Sequence, residues 1–540
     1  LCIFEKRINL KNLILAILSG ILFSISWPTY GFVFFLFFAF VPLLLVEFNL
    51  RKKNVKSIKL KLIAFAYISF VIWNFVTTSW LYYSDPFGMF FAVLVNSLLM
   101  SLVFLLYHIV AKRVNFTASA SFFIAIWICF EYLHLHWEFS WPWLNLGNAF
   151  SENTALIQWY EFTGTFGGTL WILVANLLIL KGILLFQQHQ QKSILIRSGI
   201  KLLLLIGIPI GISFVIKSNL EEPKTHVEAI ALQPNIDPYS EKYNMDDTAI
   251  KDKLMGLLAE KIKPSTDLIL LPETVFARGT RFNEYKFSPA HQFSKELTSG
   301  FPQVSVLGGI SAYDLIEDEA NTTHQSNLHP QGFWYNDYNA AFFEQADQKP
   351  KFYYKSKLVV GVENFPYQGV LRPILGDVML DLGGTVAMKT TQEERSAFPL
   401  TNGVKIAPII CYESVYGKYV TQYVKNGADV LAIMTNDAWW ADTQGHKQHW
   451  SYAKLRAIES RKAVVRSANT GISGFIDADG SEIKKTEYNQ LDVISAKVPV
   501  YQKETFYVKS GDYIARIAQF LAIFIFLFAI VKFKRAGVKR

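Results

Sequence analysis

Apolar and polar positions divide this chain into two kinds of sequence. Up to about residue 216, runs rich in Leu, Ile, Phe and Trp approach or reach the ~20 residues that a helix needs to cross a bilayer. They predict spans near 10–27, 32–48, 62–82, 87–111, 116–132, 163–186 and 202–216, with an eighth at 513–531. Between 217 and 512 the apolar runs shorten and are bounded by Gly, Pro and Asn, which is the signature of strands. Strands are expected at 227–235, 267–273, 304–309, 339–343, 404–410, 429–434, 463–466 and 474–477. Helical patterns fall at 246–261, 415–426 and 449–461. Helices alternating with apolar strands predict an α/β domain with largely buried strands.

Three divisions follow: a seven-span membrane domain at 1–216, a polar domain at 217–512, and a C-terminal transmembrane helix with a basic tail at 513–540. The first span is expected to be retained rather than cleaved, because further spans follow and no small-residue cleavage site is evident. Cys2 has no apolar segment before it here, and so is not expected to be a lipid-modified cysteine.

Charge orients these pieces. Lys and Arg cluster before the first span, at 51–61, at 112–113, at 192–201 and in the tail, whereas the alternate loops 28–31, 83–86 and 133–162 carry none. Basic loops stay cytoplasmic, so both termini are expected inside and the 217–512 domain outside. The net charge of +9 is mostly topological, since residues 217–512 hold 32 basic and 37 acidic residues. With no basic patch interleaved with aromatics there, a nucleic-acid partner is not expected. Few charges inside the spans argue against an ion path. Glu131, Glu138, Glu152 and Glu161 flank the spans and are expected to be solvated.

The chemistry centres on Cys411. It is one of three cysteines and the only one in the 217–512 domain, so it has neither an internal disulfide partner there nor the thiols of a zinc cluster. It ends the apolar run 404–410, Glu273 follows Leu271-Pro272 at the end of another, and Lys355 sits in the aromatic segment 352–360. A carboxylate can take a thiol proton, a thiolate can attack a carbonyl, and an ammonium can stabilise the resulting oxyanion. Read singly, Cys411 could be a small buried hydrophobe, Glu273 a cap and Lys355 a solvated strand lysine. His446 and His449 lack a third ligand of matching type, so no metal is expected.

Leu-Leu-Pro-Glu-Thr at 270–274, the Lys355 segment and Ile-Cys-Tyr-Glu at 410–413 resemble the Glu–Lys–Cys triad of the nitrilase superfamily. Asn-Asp-Ala-Trp-Trp at 436–440, Gln448-His449, Arg-Ala-Ile-Glu-Ser-Arg at 456–461 and Arg-Ser-Ala-Asn-Thr-Gly-Ile-Ser at 466–473 extend the likeness. Seven spans before that domain, one after it, and Trp-Pro-Trp-Leu-Asn-Leu-Gly at 141–147 narrow it to the apolipoprotein N-acyltransferase family.

The resemblance implies an α-β-β-α sandwich outside the bacterial inner membrane, on its periplasmic side. It makes Cys411 the nucleophile, Glu273 the general base and Lys355 the oxyanion stabiliser, with Glu363, Tyr412 and Glu413 supporting. Lys357 rivals Lys355, but the eight-residue spacing to Glu363 favours Lys355. Substrate contacts are expected at Tyr243, Trp439, Trp440 and Trp143, with apolar lining from 365–371. Residues 360–362 depart from the Pro-Phe-Gly the family often has before this glutamate.

The implied reaction moves an acyl chain from a phospholipid to Cys411 and then to the α-amino group of a diacylglyceryl-cysteine lipoprotein. It needs no cofactor and is expected of a monomer. Two other readings are a membrane-tethered amidase and a scaffold or transporter with a degenerate outer domain.

Overall fold

The computed structural model describes residues 2–53, 57–242, 244–370 and 387–537. The chain forms two compact units. One comprises Leu1–Tyr82, Pro86–Asn219 and Asp512–Arg540; the other comprises Leu220–Gly511 with Tyr83–Asp85.

In the first unit, seven helices among the described residues are long and apolar enough to cross a membrane. They are Val33–Lys52, Ile58–Tyr83, Pro86–Ala111, Phe116–Leu133, Thr165–His189, Lys192–Ser218 and Tyr513–Lys532. The remaining expected span is the shorter apolar stretch Leu10–Ser26. This is an integral membrane protein. Two buried carboxylates there are partnered in the way an apolar solvent demands: Glu47 pairs with Arg51 at 2.9 Å and with His108 at 2.7 Å. Glu131 and Glu161 correct the sequence reading, for both are buried rather than solvated. Glu131 accepts from Thr169 Oγ1 at 2.7 Å, from the Leu146 N–H at 2.8 Å and from Trp127 Nε1 at 3.2 Å.

The second unit is built on two sheets. The strands in chain order are β1 (Thr225–Gln233), β2 (Leu268–Leu270), β3 (Phe276–Arg281), β4 (Ser305–Ile316), β5 (Asn327–Leu328), β6 (Trp334–Glu344) and β7 (Lys351–Tyr354). They continue with β8 (Phe398–Pro399), β9 (Lys405–Ile410), β10 (Val430–Thr435), β11 (Ala463–Ala468), β12 (Gly474–Ile476), β13 (Glu482–Lys485) and β14 (Asp492–Val500). One sheet runs β14-β1-β2-β4-β6-β5, with β3 against β4 and β7 against β6; the other runs β13-β12-β11-β10-β9-β8. β2, which leads to Glu273, lies parallel to β1 and β4, and β9, which leads to Cys411, lies parallel to β10 and antiparallel to β8.

Side-chain alternation sorts each strand's residues between two layers. Ile230 and Leu232 of β1, Ile269 of β2 and Tyr338, Ala340 and Phe342 of β6 join a core with Ile250, Leu254 and Leu258 of the Asp247–Leu258 helix and Phe293 and Leu297 of the Pro289–Gly300 helix. Both helices start where the sequence provides caps. Asp246 accepts from the Thr248 N–H at 2.8 Å, and Ser288, followed by Pro289, accepts from the His291 N–H at 3.2 Å. The opposite parity turns toward the second sheet, and Ser467 Oγ of β11 donates to the Leu232 carbonyl of β1 at 2.6 Å. With the Gly417–Lys425 and Gln444–Ser460 helices packed on the second sheet, the layers are α-β-β-α. Strands β3, β5, β8, β13 and β14 were not expected: β5 and β8 are two residues long, β3 turns polar after Phe276 and Ala277, β13 is exposed throughout, and β14 carries Lys497 and Pro499 in its run.

Candidate active site

Three strand ends and one turn build the site. Glu273 sits just past β2, where the chain makes a left-handed turn at Thr274 (φ 42°). That turn lies against Gly309 of β4, whose N–H donates to the Pro272 carbonyl at 3.1 Å. Lys355 follows β7 and extends its ladder, donating its N–H to the Asn339 carbonyl of β6 at 2.9 Å. Alternation places Tyr353 and Lys355 on one face and leaves Phe352 and Tyr354 packed against the helix-side core. Asn339 has the inward parity of Ala341 and Phe343.

The buried Lys355 ammonium bridges two buried carboxylates. It donates to Glu273 Oε1 at 2.9 Å and to Glu363 Oε1 at 3.0 Å, and lies 2.9 Å from Glu363 Oε2. Asn339 Nδ2 donates to the same pair at 2.8 Å each. The segment 359–363 folds into a tight turn with Gly361 at φ 78°, and the Val359 N–H donates to Glu363 Oε2 at 3.0 Å. The departure at 360–362 thus leaves the carboxylate held by its own loop. Burial opposes the charged forms here, yet the pairing prevails. Lys355 is held well above the ordinary lysine range by Glu273 and Glu363, and Glu363 below the usual carboxylate range by Lys355 and its N–H donors.

Cys411 follows β9 in a left-handed conformation (φ 49°) and opens the short helix Cys411–Val415. Burial pushes its thiol up, Glu273 adds to this and Lys355 opposes it, so the resting thiol is neutral and needs a base. Three supports hold this elbow. The fully buried Glu413 accepts from Tyr353 and Tyr419 hydroxyls at 2.6 Å each, from the Ser356 N–H at 2.7 Å and from the Ile410 N–H at 2.8 Å. Burial raises its carboxyl and those donors oppose the rise. His449 places Nε2 3.3 Å from the Cys411 carbonyl and 3.0 Å from Ser414 Oγ, with Nδ1 3.0 Å from Asp437 Oδ1. Asp437 also accepts from Arg466 at 2.7 Å; burial works against its charge, but Arg466 and His449 hold it well below the carboxylate range.

The structure therefore brings Glu273, Lys355, Glu363 and Cys411 together and uses Glu413 as a strut. Tyr412 is buried, edge-on to Tyr416 at 5.2 Å. Lys357 lies over the rings of Tyr416 and Tyr419. Trp439 and Trp440 are half-buried; Trp439 meets Tyr239 edge-on at 5.2 Å and Trp440 meets His449 at 5.5 Å. Trp143 belongs to the membrane unit, fully buried against Trp80 and Trp141, and packs as core there. Tyr243 and Leu371 lie outside the described residues. Within 365–370, Phe365 is buried while Tyr367 and Val370 are exposed. His446 stacks on Tyr488 at 4.3 Å, and no group of potential metal ligands occurs among the described residues.

Asn339 and Lys242 were missed. Asn339 was inside an expected strand, and its inward parity was the available signal. Lys242, in the loop after β1, is buried and donates to Thr274 Oγ1 at 2.6 Å.

Comparisons with known proteins agree with this architecture. The sequence pattern of the carbon-nitrogen hydrolases matches residues 229–504, and that of the apolipoprotein N-acyltransferase N-terminal domain matches residues 19–178. The chain is 27% identical to the apolipoprotein N-acyltransferase of Chlorobaculum tepidum over 98% of both chains. It is 27% identical to apolipoprotein N-acyltransferase 1 of Treponema denticola, again over 98% of both. It is 26% identical to the enzyme of that name from Geobacter metallireducens, over 94% of this chain and 92% of the other.

Proposed function

The chain belongs to the carbon-nitrogen hydrolase family, and from that premise we propose that it is a membrane acyltransferase acting on apolipoproteins. It moves an acyl chain from a phospholipid to the N-terminal amine of a diacylglyceryl-cysteine. The observation that carries this reading is the buried Glu273–Lys355–Glu363 bridge, with Glu273 and Lys355 close enough for their charges to act on the buried Cys411, in a chain with membrane-crossing helices on both sides of the catalytic unit.

The chemistry follows from these groups. Glu273 takes the thiol proton and the thiolate attacks the ester carbonyl carbon. Lys355, kept charged by its two carboxylates, stabilises the tetrahedral oxyanion. The ester C–O bond breaks, Glu273 returns the proton to the departing lysophospholipid oxygen, and a thioester remains on Cys411. The acceptor amine then attacks the thioester carbonyl and gives its proton to Glu273. The C–S bond breaks, leaving an amide, and the thiolate recovers the proton. Glu363 and Asn339 hold Lys355 and Glu273 in register, Glu413 and Tyr412 brace the elbow, and Trp439 and Trp440 line the path to it. No cofactor takes part, and a monomer suffices.

The distribution of Lys and Arg supports an inner-membrane topology with both termini cytoplasmic and the catalytic unit, near 217–512, periplasmic. A thiol anchored to the membrane through both flanking helices meets two substrates that are themselves membrane-anchored lipids.

The test uses the purified full-length protein, a phospholipid and a diacylglyceryl-cysteine peptide. The expected product is the N-acylated peptide, with an N-blocked peptide inert. Release of free fatty acid with no peptide product, or hydrolysis of small amides while phospholipid is ignored, would overturn the proposal.

A further inference from the structure

The loop after β1 brings a second lysine into the site. The Asp237 carboxylate accepts from the Tyr239 N–H at 2.7 Å and the Ser240 N–H at 2.9 Å, closing a turn. The Lys242 N–H then donates to the Asp237 carbonyl at 2.8 Å. From this scaffold the Lys242 side chain runs inward until only 2% of the residue is exposed. Its ammonium donates to Thr274 Oγ1 at 2.6 Å and to the Glu273 carbonyl at 3.4 Å. These are the two residues of the turn that aims the Glu273 carboxylate, and Thr274 holds a left-handed conformation there. A non-glycine residue in that conformation persists only where its surroundings over-determine it. Lys242 on one side and the close backbone of Gly309 on the other do so.

Lys242 differs from Lys355 in its surroundings. Lys355 bridges two carboxylates; Lys242 holds a carbonyl and a hydroxyl. Burial lowers Lys242 to about 8, with Glu273 and an ionised Cys411 pulling it up and Lys355 pushing it down. The charges of Lys242, Glu273, Cys411 and Lys355 therefore act on one another within a single buried site.

Resting on the acyl-transfer reading, we propose that Lys242 is a positioning residue for this reaction: it clamps the 272–274 turn that carries Glu273, and it adds a second positive charge beside the thiol. Lys355 touches the base carboxylate, whereas Lys242 holds the backbone that aims it. Together they offset the negative charge that develops at Cys411 when the base takes its proton.

The experiment compares full-length wild type with Lys242→Met, which lacks clamp and charge, and with Lys242→Gln, whose amide can still donate. Two quantities are read: the rate at which the acyl adduct appears on exposure to phospholipid, and the pH dependence of Cys411 alkylation by iodoacetamide, followed on the Cys411 peptide. Lys242→Met should acylate about tenfold or more slowly at saturating donor, with KM for donor changed by less than about threefold. Below about pH 8, where Lys242 carries its charge, the variant's alkylation profile should move to higher pH by about 0.5 unit or more, because a cation beside the thiol has gone. Lys242→Gln should recover part of the acylation rate and keep the shifted profile.

Wild-type rate and profile in Lys242→Met would overturn the inference. So would slower acylation with an unshifted profile, which marks a purely structural lysine. Should Lys242→Met not fold, the profile of Lys242→Gln decides alone. If wild type itself forms no adduct, the acyl-transfer reading fails, while the alkylation profiles still test the charge of Lys242.

Discussion

Replacing Gly309 with alanine puts a methyl group inside the turn that carries Glu273. The new Cβ lies 2.2 Å from the Thr274 nitrogen, 2.6 Å from the Glu273 Cα and 2.6 Å from the Pro272 carbonyl oxygen. Ordinary contacts are 3.4–4 Å, and all three neighbours are backbone, so no side chain can swing aside. Either β4 or the 272–274 turn must shift by about 1 Å, and a misplacement of ~1 Å at reacting groups costs about 10²-fold in rate. The same crowding costs about 1–3 kcal/mol of stability, which a folded domain of this size tolerates. The assay is the rate of acyl-adduct formation at saturating phospholipid. Gly256→Ala is the control: its Cβ meets nothing within 4 Å in the Asp247–Leu258 helix, and helix propensity favours alanine by about 0.8–1 kcal/mol. Gly256→Ala should acylate as wild type does. A folded Gly309→Ala protein within about threefold of the wild-type rate would refute the claim that the Gly309 contact aims the base.

Asn339→Leu removes the amide that donates to both Glu273 and Glu363, and should slow acylation about tenfold or more with donor KM nearly unchanged; an unaffected rate contradicts that role. Lys355→Met leaves two buried carboxylates facing each other, so it should abolish acylation and destabilise the fold by about 3–5 kcal/mol. Adding Glu363→Gln should recover part of the thermal midpoint and none of the activity. Lys242 is lowered to about 8 from its ordinary 10.5, so between those values the unfolded chain binds more protons than the folded one. Its contribution to stability therefore rises with pH across that window, by ~3 kcal/mol at ~1.4 kcal/mol per unit. The thermal midpoint of wild type relative to Lys242→Met should climb between pH 8 and 10.5, and a flat difference would count against the buried cation.

The apolar runs made the membrane helices legible, because bilayer thickness sets their length whatever they pack against. The buried strands were legible for a related reason: β2, β10, the run Ala229–Leu232 of β1, Ile406–Ile410 of β9 and Ala463–Val465 of β11 are covered on both faces and read as apolar runs. The polar second half of β3 and the exposed β13 left no such trace. Cys411, Glu273, Lys355 and Glu363 stood out through their motifs. Asn339 and Lys242 did not, since a polar residue inside a strand and a lysine in a loop are individually ordinary. Their roles arise from contacts that cross 66 and 32 residues of sequence. Glu131 was misjudged for the opposite reason. A carboxylate at the end of a span reads as solvated, and only the fold brings Thr169 and the Leu146 N–H to it.

The central claim is that Cys411 carries the acyl chain, and intact-protein mass after exposure to phospholipid tests it most directly. Wild type should gain the mass of one acyl group less the proton it replaces, lose it to hydroxylamine, and lose it on addition of a diacylglyceryl-cysteine peptide. Cys411→Ala should show no gain. An acyl adduct of equal yield in Cys411→Ala, or a wild-type adduct mapped to another residue, would contradict the account.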